Sequence, residues 1–163
     1  MGMVASYQSI SDVELKKGLS VDDVDELLDD DDLEACEIGK MWDALHFLLT
    51  GKSAYEPIKE NLISEAIVGQ VNISEDGEEE VISAIRSNRV KEIAEALQKI
   101  DFEKYILKFN VNDFKKNDIY PNIWEYEDEV DSIKDDLRTS FASIREFYLK
   151  MAEQESAVLV SIL

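Results

Sequence analysis

The single histidine of this chain, His46, stands at a spacing that could give it chemistry. Asp43, His46 and Thr50 follow the pattern i, i+3, i+7, which places their side chains on one flank of a helix. A carboxylate beside an imidazole can orient the ring and raise its pKa, as a general base requires. Two interpretations follow. His46 is a ligand-binding or catalytic group oriented by Asp43, or it is a partly buried histidine that hydrogen-bonds Asp43 or a backbone carbonyl.

The sequence around His46 supplies neither a nucleophile nor a metal site. No Gly-x-Ser-x-Gly element, in which a strained turn exposes a catalytic serine, occurs in the chain. Cys36 precedes the predicted helix by several residues and has no catalytic signature around it. One histidine and one cysteine cannot form a metal-binding cluster of these residues within one chain. Catalytic residues therefore stay unassigned, and no metal ion or cofactor is expected.

The tetrapeptide TGKS at residues 50–53 resembles the end of a phosphate-binding loop. That loop needs a glycine five residues before Gly51, where this chain has His46. A helix is also predicted before the glycine, where the phosphate loop requires a strand. We therefore interpret Gly51 as the end of a helix and the two residues after it as a turn.

Aromatic residues lie close together in one irregular segment, IYPNIW at residues 119–124. If Tyr120 or Trp124 faces the flank that carries Asp43, a small polar and aromatic pocket results. The alternative is that the two rings only pin this loop to the core. The candidate pocket consists of residues on the flank or within its reach: Trp42, Asp43, His46, Thr50, Tyr120 and Trp124.

The helix that must position these side chains is predicted over residues 38–50. Its apolar positions 38, 41, 42, 45, 48 and 49 fall within a sector of about 120° on a helical wheel. Phe47 lies on the opposite side, so this helix should be covered on both sides and central in the fold. Gly51 is well placed to end it.

The same periodicity predicts the other elements. Further helices are predicted over residues 20–28, 62–67, 88–100, 102–109 and 130–151, the last of about seven turns. Strands are predicted at residues 3–10, before a capping box at 11–14, and at 157–163, an apolar run suited to burial on both faces. Residues 81–85 could begin a helix or form a strand, and residues 110–122 are predicted to be the longest irregular connection.

These elements predict a single α+β domain over residues 1–163, with a small mixed or antiparallel sheet packed by several helices, one of them long and C-terminal. A chain of 163 residues, 45% of them hydrophobic, is long enough for one substantial core. No segment has the length of a membrane span or the pattern of a secretory signal, which favours a cytoplasmic protein. The apolar C-terminal strand could complete this sheet or pair with another chain, so the oligomeric state stays open.

The acidity of the chain is concentrated in three segments. Its 37 acidic and 17 basic residues give a formal net charge of −20. Residues 20–37 contain ten acids, residues 75–80 five and residues 125–136 seven, with Lys134 as the one base among them. The rest of the chain is close to neutral. A net charge of this sign repels phosphate backbones and anionic membrane surfaces, so neither nucleic acid nor a membrane is an expected partner.

The acidic segments permit three interpretations. They are solvated ends and loops that keep the protein soluble, two or three of them converge on one anionic face for a basic protein, or they bind a polyvalent cation. Residues 22–34 lack the glycine and the spacing of an EF-hand loop, which argues against specific calcium binding.

Several stretches together resemble the YfbM-like family of bacterial proteins, a domain of unknown function. They are MGM at residues 1–3, WDALHFLLTG at 42–51, IYP at 119–121, and the long helix leading to AVL at 157–159. The resemblance covers essentially the whole chain and places Trp42, Asp43, His46, Thr50 and Gly51 in the family's motif. It implies a small cytoplasmic α+β domain with no established activity and no catalytic residues to carry over.

Two functions therefore compete. The slightly favoured one is an interaction module, of the kind found in inhibitors and immunity proteins, that binds a basic partner through its acidic segments. The alternative is a small-ligand binder or enzyme that uses the flank carrying Asp43, His46 and Thr50. Exposure of His46 to a cavity would separate them, because a catalytic histidine must reach its substrate.

Overall fold

A five-stranded antiparallel sheet forms the centre of the fold. The computed structural model describes residues 2–17, 21–30, 32–74, 80–125 and 127–163. Within these ranges the strands are β1 (Ala5–Ile10), β2 (Ala35–Gly39), β3 (Val71–Asn72), β4 (Val81–Ile85) and β5 (Ala157–Ile162), arranged in the order β2-β1-β5-β4-β3. Every pairing is antiparallel. The predicted α+β class is confirmed, with the sheet wholly antiparallel.

The C-terminal strand β5 is the middle strand of this sheet. It pairs with β1 on one side and β4 on the other, and each of its residues is at most 2% exposed. The predicted strand covered on both faces is therefore confirmed. Because both edges of β5 are occupied within the chain, it completes its own sheet rather than offering an edge to a second copy.

Helices surround the sheet unequally. Their bounds are α1 (Asp12–Lys16), α2 (Val21–Leu28), α3 (Trp42–Thr50), α4 (Leu62–Val68), α5 (Ser87–Gln98), α6 (Phe102–Leu107), α7 (Val111–Lys116) and α8 (Val130–Glu153). The larger apolar cluster joins one face of the sheet, the inner face, to α3 through α8. A small cluster on the other face, the outer face, contains Val24 of α2 with Ile10, Ile82, Ala157 and Leu159.

The long helix α8 is confirmed and runs for 24 residues. Its apolar seam, which includes Leu137, Phe141 and Ile144, is buried against the core. No helix in the described ranges is both long enough and apolar enough to cross a bilayer.

The predicted start of the central helix is wrong. Ile38 lies in β2, and α3 begins only at Trp42. Gly39 has φ +61, a conformation that takes the chain out of the strand and into the turn before the helix. The apolar positions of a short strand and a following helix happen to fall on one helical sector. At the other end the prediction holds, because Gly51 adopts φ +80 and its amide bonds the Phe47 carbonyl.

The prediction that residues 110–122 form an irregular connection is wrong in part, because they contain α7. Asn110 caps this helix by accepting a hydrogen bond from the Asn112 amide. Phe114 is its single buried side chain, so the six-residue helix leaves no apolar period in the sequence. The ambiguous residues 81–85 form β4, and α5 begins at Ser87, one residue before the predicted start.

Candidate functional site

Trp42, the first residue of α3, joins three separate parts of the chain. Its side chain is buried, and Nε1 donates to the Met3 carbonyl at 3.1 Å. The indole packs edge-on against Tyr55, with ring centroids 5.4 Å apart, and stacks on Tyr120 at 5.2 Å. The N-terminus, the segment after α3 and the loop before α8 therefore meet on this ring.

Asp43 is a fully buried carboxylate that accepts hydrogen bonds from two of these segments. Its Oδ1 accepts from the Ser53 hydroxyl at 2.8 Å and from the Ala54 amide at 2.6 Å. Its Oδ2 accepts from the Tyr120 amide at 2.9 Å. Three short hydrogen bonds replace the water that a buried charge loses. They tie the segment after α3 and the loop before α8 to the start of α3.

His46 is also fully buried and has both ring nitrogens bonded to protein. Nδ1 lies 2.7 Å from the Lys52 carbonyl oxygen. A carbonyl only accepts, so Nδ1 carries the proton and Nε2 of the neutral ring accepts from the Ser64 hydroxyl, 2.8 Å away. Burial lowers the pKa of His46 below its usual value of 6.5, against the opposing effects of the Lys52 carbonyl and the charge of Asp43.

Of the two interpretations of His46, the structure matches the one in which the ring bonds a backbone carbonyl, that of Lys52, and not orientation of the ring by Asp43. The two side chains lie on one flank of α3, as their spacing predicts, but their polar atoms bond different partners: Ser53, Ala54 and Tyr120 for the carboxylate, and Lys52 and Ser64 for the ring. Asp43 therefore does not orient the imidazole through a hydrogen bond.

The order of groups from the Lys52 carbonyl through His46 to Ser64 resembles a hydrolase's serine and histidine pair. Ser64, however, is fully buried, and its Oγ also accepts from the Ile58 amide at 3.0 Å. A substrate could therefore reach this oxygen only by displacing the bonds to His46 and Ile58. In the structure His46 links Lys52, Ile58 and α4 through these hydrogen bonds.

Thr50 ends the cluster at the last residue of α3. Its hydroxyl donates to the His46 carbonyl at 2.7 Å and accepts from the Lys52 amide at 3.2 Å. With Gly51 in the left-handed conformation, this turns the chain so that the Lys52 carbonyl reaches the imidazole. The α3 cluster, defined as Trp42, Asp43, His46, Thr50 and Tyr120, thus contains five of the six predicted pocket residues.

Trp124, the sixth predicted residue, lies outside the α3 cluster. It is 2% exposed, donates from Nε1 to the Ile119 carbonyl at 2.6 Å, and packs against Phe114 at 4.8 Å. This matches the alternative interpretation, in which the ring pins its loop to the core.

A groove of about 980 Å³ lies beside the α3 cluster, at one end of the inner face. It is lined by α4, by residues 54–60, which follow the α3 cluster in the chain, and by β3, β4 and the start of α5. Its lining combines rings, aliphatic groups and polar side chains, among them Trp42, Tyr55, Ile58, Glu65, Ser83 and Arg89. Tyr55 is 61% exposed at the groove, although its ring packs on buried Trp42.

An ion pair lies in the wall of the groove. Glu65 has a side chain only 11% exposed, and Nε of Arg89 donates to its carboxylate at 3.0 Å. Arg89 also donates to Glu92 at 2.6 Å. These acceptors, Glu65 first, raise the pKa of Arg89. The remaining charged side chains of the lining are Lys59, Glu60 and Glu80, so the groove has a small net negative charge.

Apart from Trp42, sequence reasoning missed the residues that line this groove. Tyr55 and Arg89 lie in exposed stretches with no distinctive spacing. Glu65 carried a usable signal, because it interrupts the apolar residues of α4 and such an acid needs a partner when buried. Ser64 follows Asn61, which caps α4, and its contact with His46 bridges 18 positions in the chain.

Cys36 is half-buried on β2 and is unsuited to nucleophilic chemistry. Burial, with smaller effects from the charges of Glu146 and Glu37, raises the pKa of its thiol to about 11. We expect alkylation by iodoacetamide at pH 7.5 to be on the order of 100-fold slower than for a thiol of ordinary pKa, because so little thiolate is present. Mass spectrometry of timed reactions measures this rate, and a rate equal to that of a free cysteine peptide would contradict the burial of Cys36.

The first and third acidic segments lie toward opposite ends of α8. Glu34 accepts from Lys150 at 2.9 Å, whereas Asp135 accepts from Arg138 near the start of the helix. Asp135 and Lys150 are about 22 Å apart along the helix axis. The contacts that these two segments make to α8 are therefore well separated along the helix. Of the second segment, residues 75–79 lie outside the described residues.

No three histidine, cysteine, aspartate or glutamate side chains in the described ranges come together as metal ligands would.

The antiparallel sheet and the helices that cover its inner face define a single α+β domain. The profile of a domain of unknown function, DUF1877, matches residues 1–161, and the chain belongs to that family. It is 24% identical over 168 residues to protein YfbM of Escherichia coli strain K12, covering 99% of each chain. The crystal structure of YfbM from E. coli, described as a protein of unknown function, superposes with a TM-score of 0.80 at 23% identity, over 99% of this chain and 100% of that one. The resemblance to the YfbM-like family is thus confirmed.

Proposed function

We propose that this protein binds a small organic ligand in the groove beside the α3 cluster. The ligand we infer is a ring-bearing molecule without net negative charge and with hydrogen-bonding groups along one edge. This keeps the ligand-binding alternative of the sequence and moves its site from the buried flank of α3 to the groove in front of it.

The observation that carries the proposal is the fixed position of residues 52–58. Asp43 and His46 bond Ser53, Ala54, Lys52 and, through Ser64, Ile58, so the segment is held at both ends. A wall held in advance loses little conformational entropy when a ligand binds. Buried polar groups that fix a concave wall are expected in a binding site.

The side chains that line the groove indicate the class of ligand. The exposed ring of Tyr55, supported from behind by Trp42, offers an aromatic face. Gln70 and Asn72 also line the groove, and the NH2 groups of their side-chain amides can donate hydrogen bonds to a ligand. Since Glu65 already neutralises Arg89, the remaining charges, on Lys59, Glu60 and Glu80, leave the lining with a net charge of −1, which disfavours an anionic ligand.

The test is a screen of neutral aromatic fragments followed by amide and indole NMR shifts. We expect binding fragments to shift the Trp42 indole and the amides of residues 54–58, and Tyr55→Ala to weaken them about tenfold through the loss of one ring contact. Tyr105→Ala, on α6 and outside the groove lining, is the matched control and should leave binding unchanged. Fragments that bind elsewhere, or that bind the groove equally well without the Tyr55 ring, would contradict the proposal.

A further inference from the structure

A second concave site lies on the outer face of the sheet, away from the groove and independent of it. It has a volume of about 540 Å³ and is lined by residues of β1, β2 and β5 and by the chain that follows α2. From its lining we propose that this outer-face cavity binds a primary ammonium group carried on an alkyl chain.

A row of polar side chains crosses three neighbouring strands in this cavity. Ser6 of β1 is paired in register with Glu37 of β2 on one side and with Ser161 of β5 on the other. Side chains of directly paired residues lie on the same face of a sheet, about 5 Å apart. The rest of this face carries the apolar cluster under α2, so the polar row is local.

Gln8 lies next to this row and contributes an oxygen that has no partner. The residue is 4% exposed and belongs to the lining of the cavity. Its Nε2 donates to the Leu27 carbonyl, which fixes the orientation of the amide. Within the described ranges, Oε1 is the buried side-chain atom that makes no hydrogen bond. A buried acceptor without a donor is unfavourable, so a ligand that donates here would be stabilised.

The polar groups of the cavity wall are matched to a cation that only donates hydrogen bonds. Asp30 and Glu37 contribute carboxylates, Ser6 and Ser161 hydroxyl oxygens, and none of the described residues that line the cavity is a lysine, arginine or histidine. An ammonium group has three donors and no acceptor. A divalent metal ion fits less well, because two carboxylates and an amide oxygen fall short of the ligand sets that hard cations take.

Apolar side chains flank these acceptors and suit the methylene chain of the ligand. Leu28 and Leu33 belong to the same lining and are half-buried. Asp30 and Glu37 both belong to the first acidic segment, residues 20–37. A lysine side chain of the basic partner predicted from the sequence has a primary ammonium group on an alkyl chain and could bind in this cavity. A free polyamine has the same groups.

The experiment is an NMR titration of the full chain at constant ionic strength with n-butylammonium, spermidine, tetralysine and tetramethylammonium. We expect butylammonium to shift the Gln8 side-chain amide and the backbone amides of Ser6 and Ser161, and tetramethylammonium, which has no N–H donor, to leave them unchanged. Equal shifts with both cations would overturn the proposal, because they would report only non-specific attraction to acids.

Variants separate the cavity from general acidity. Gln8→Leu and Glu37→Gln should each weaken butylammonium binding about tenfold, while Glu26→Gln, an exposed acid on α2 outside the lining, should not. If Gln8→Leu does not fold, Ser161→Ala tests the same cavity. Stronger binding of spermidine than of tetralysine identifies a free amine, and the reverse identifies a partner's lysine. Unchanged affinity in both Glu37→Gln and Ser161→Ala would refute the site, whatever the fragment screen of the groove gives.

Discussion

Replacing Asp43 with alanine is expected to destabilise the protein by about 3–5 kcal/mol. The substitution removes a buried carboxylate that accepts from Ser53, Ala54 and Tyr120. These three donors, two of them on half-buried residues, would then lose their acceptor, and each loss adds to the cost. Urea unfolding followed by far-UV circular dichroism measures the change.

Two further variants test this explanation. Asp43→Asn keeps the volume and one oxygen but places an amide nitrogen against a donor, so we expect a smaller yet clear loss of about 2–3 kcal/mol. Asp101→Asn, an exposed acid before α6, should change stability by less than about 0.5 kcal/mol. A small effect in both Asp43 variants would mean that the segments do not depend on this carboxylate.

His46 is expected to make the stability of the protein depend on pH near neutrality. Its pKa is lowered in the folded protein, mainly by burial, while the unfolded chain has the usual value near 6.5. The unfolded state therefore binds more protons in this range, so stability is full above pH 6.5 and falls as the pH decreases toward the folded pKa. The slope can approach about 1.4 kcal/mol per pH unit for one proton.

Because the chain has a single histidine, this pH dependence can be assigned to one residue. No other side chain of ordinary pKa titrates between pH 7.5 and 5.5. Urea unfolding at several pH values in this window should show the slope in the natural protein and lose it in His46→Gln. His46→Ala should in addition cost about 2–4 kcal/mol, because the Lys52 carbonyl and Ser64 hydroxyl lose their partner. A flat profile in the natural protein would show that the ring is not enclosed.

The sequence predicted elements whose periodicity extends over several turns or whose ends carry capping residues. Helix α8 and the end of α3 at Gly51 belong to this group. Strand β2 was missed because its five residues alternate poorly and Ile38 fits the helical sector of the next element. Strand β3 has two residues, too few for any period. Short elements such as these are specified by their neighbours in space.

The members of the α3 cluster were predicted, but their hydrogen-bond partners were not. Spacing correctly placed Asp43, His46 and Thr50 on one flank of α3, yet it could not show which atoms they bond. Those partners, such as Ser64 and the Tyr120 amide, are 18 and 77 positions away in the chain. The sequence likewise showed which segments contain the acidic residues. It did not show where these segments lie in space, which depends on how they contact α8.

The central claim is that the α3 cluster, together with Ser64, holds residues 52–58 in place beside the groove. Native-state hydrogen exchange of three amides tests it most directly: those of Ala54 and Tyr120, which donate to Asp43, and that of Ile58, which donates to Ser64. We predict protection close to that of the buried strand β5, and far above that of exposed Lys59 and Glu60. Exchange of the three amides as fast as in Lys59 and Glu60 would contradict the account.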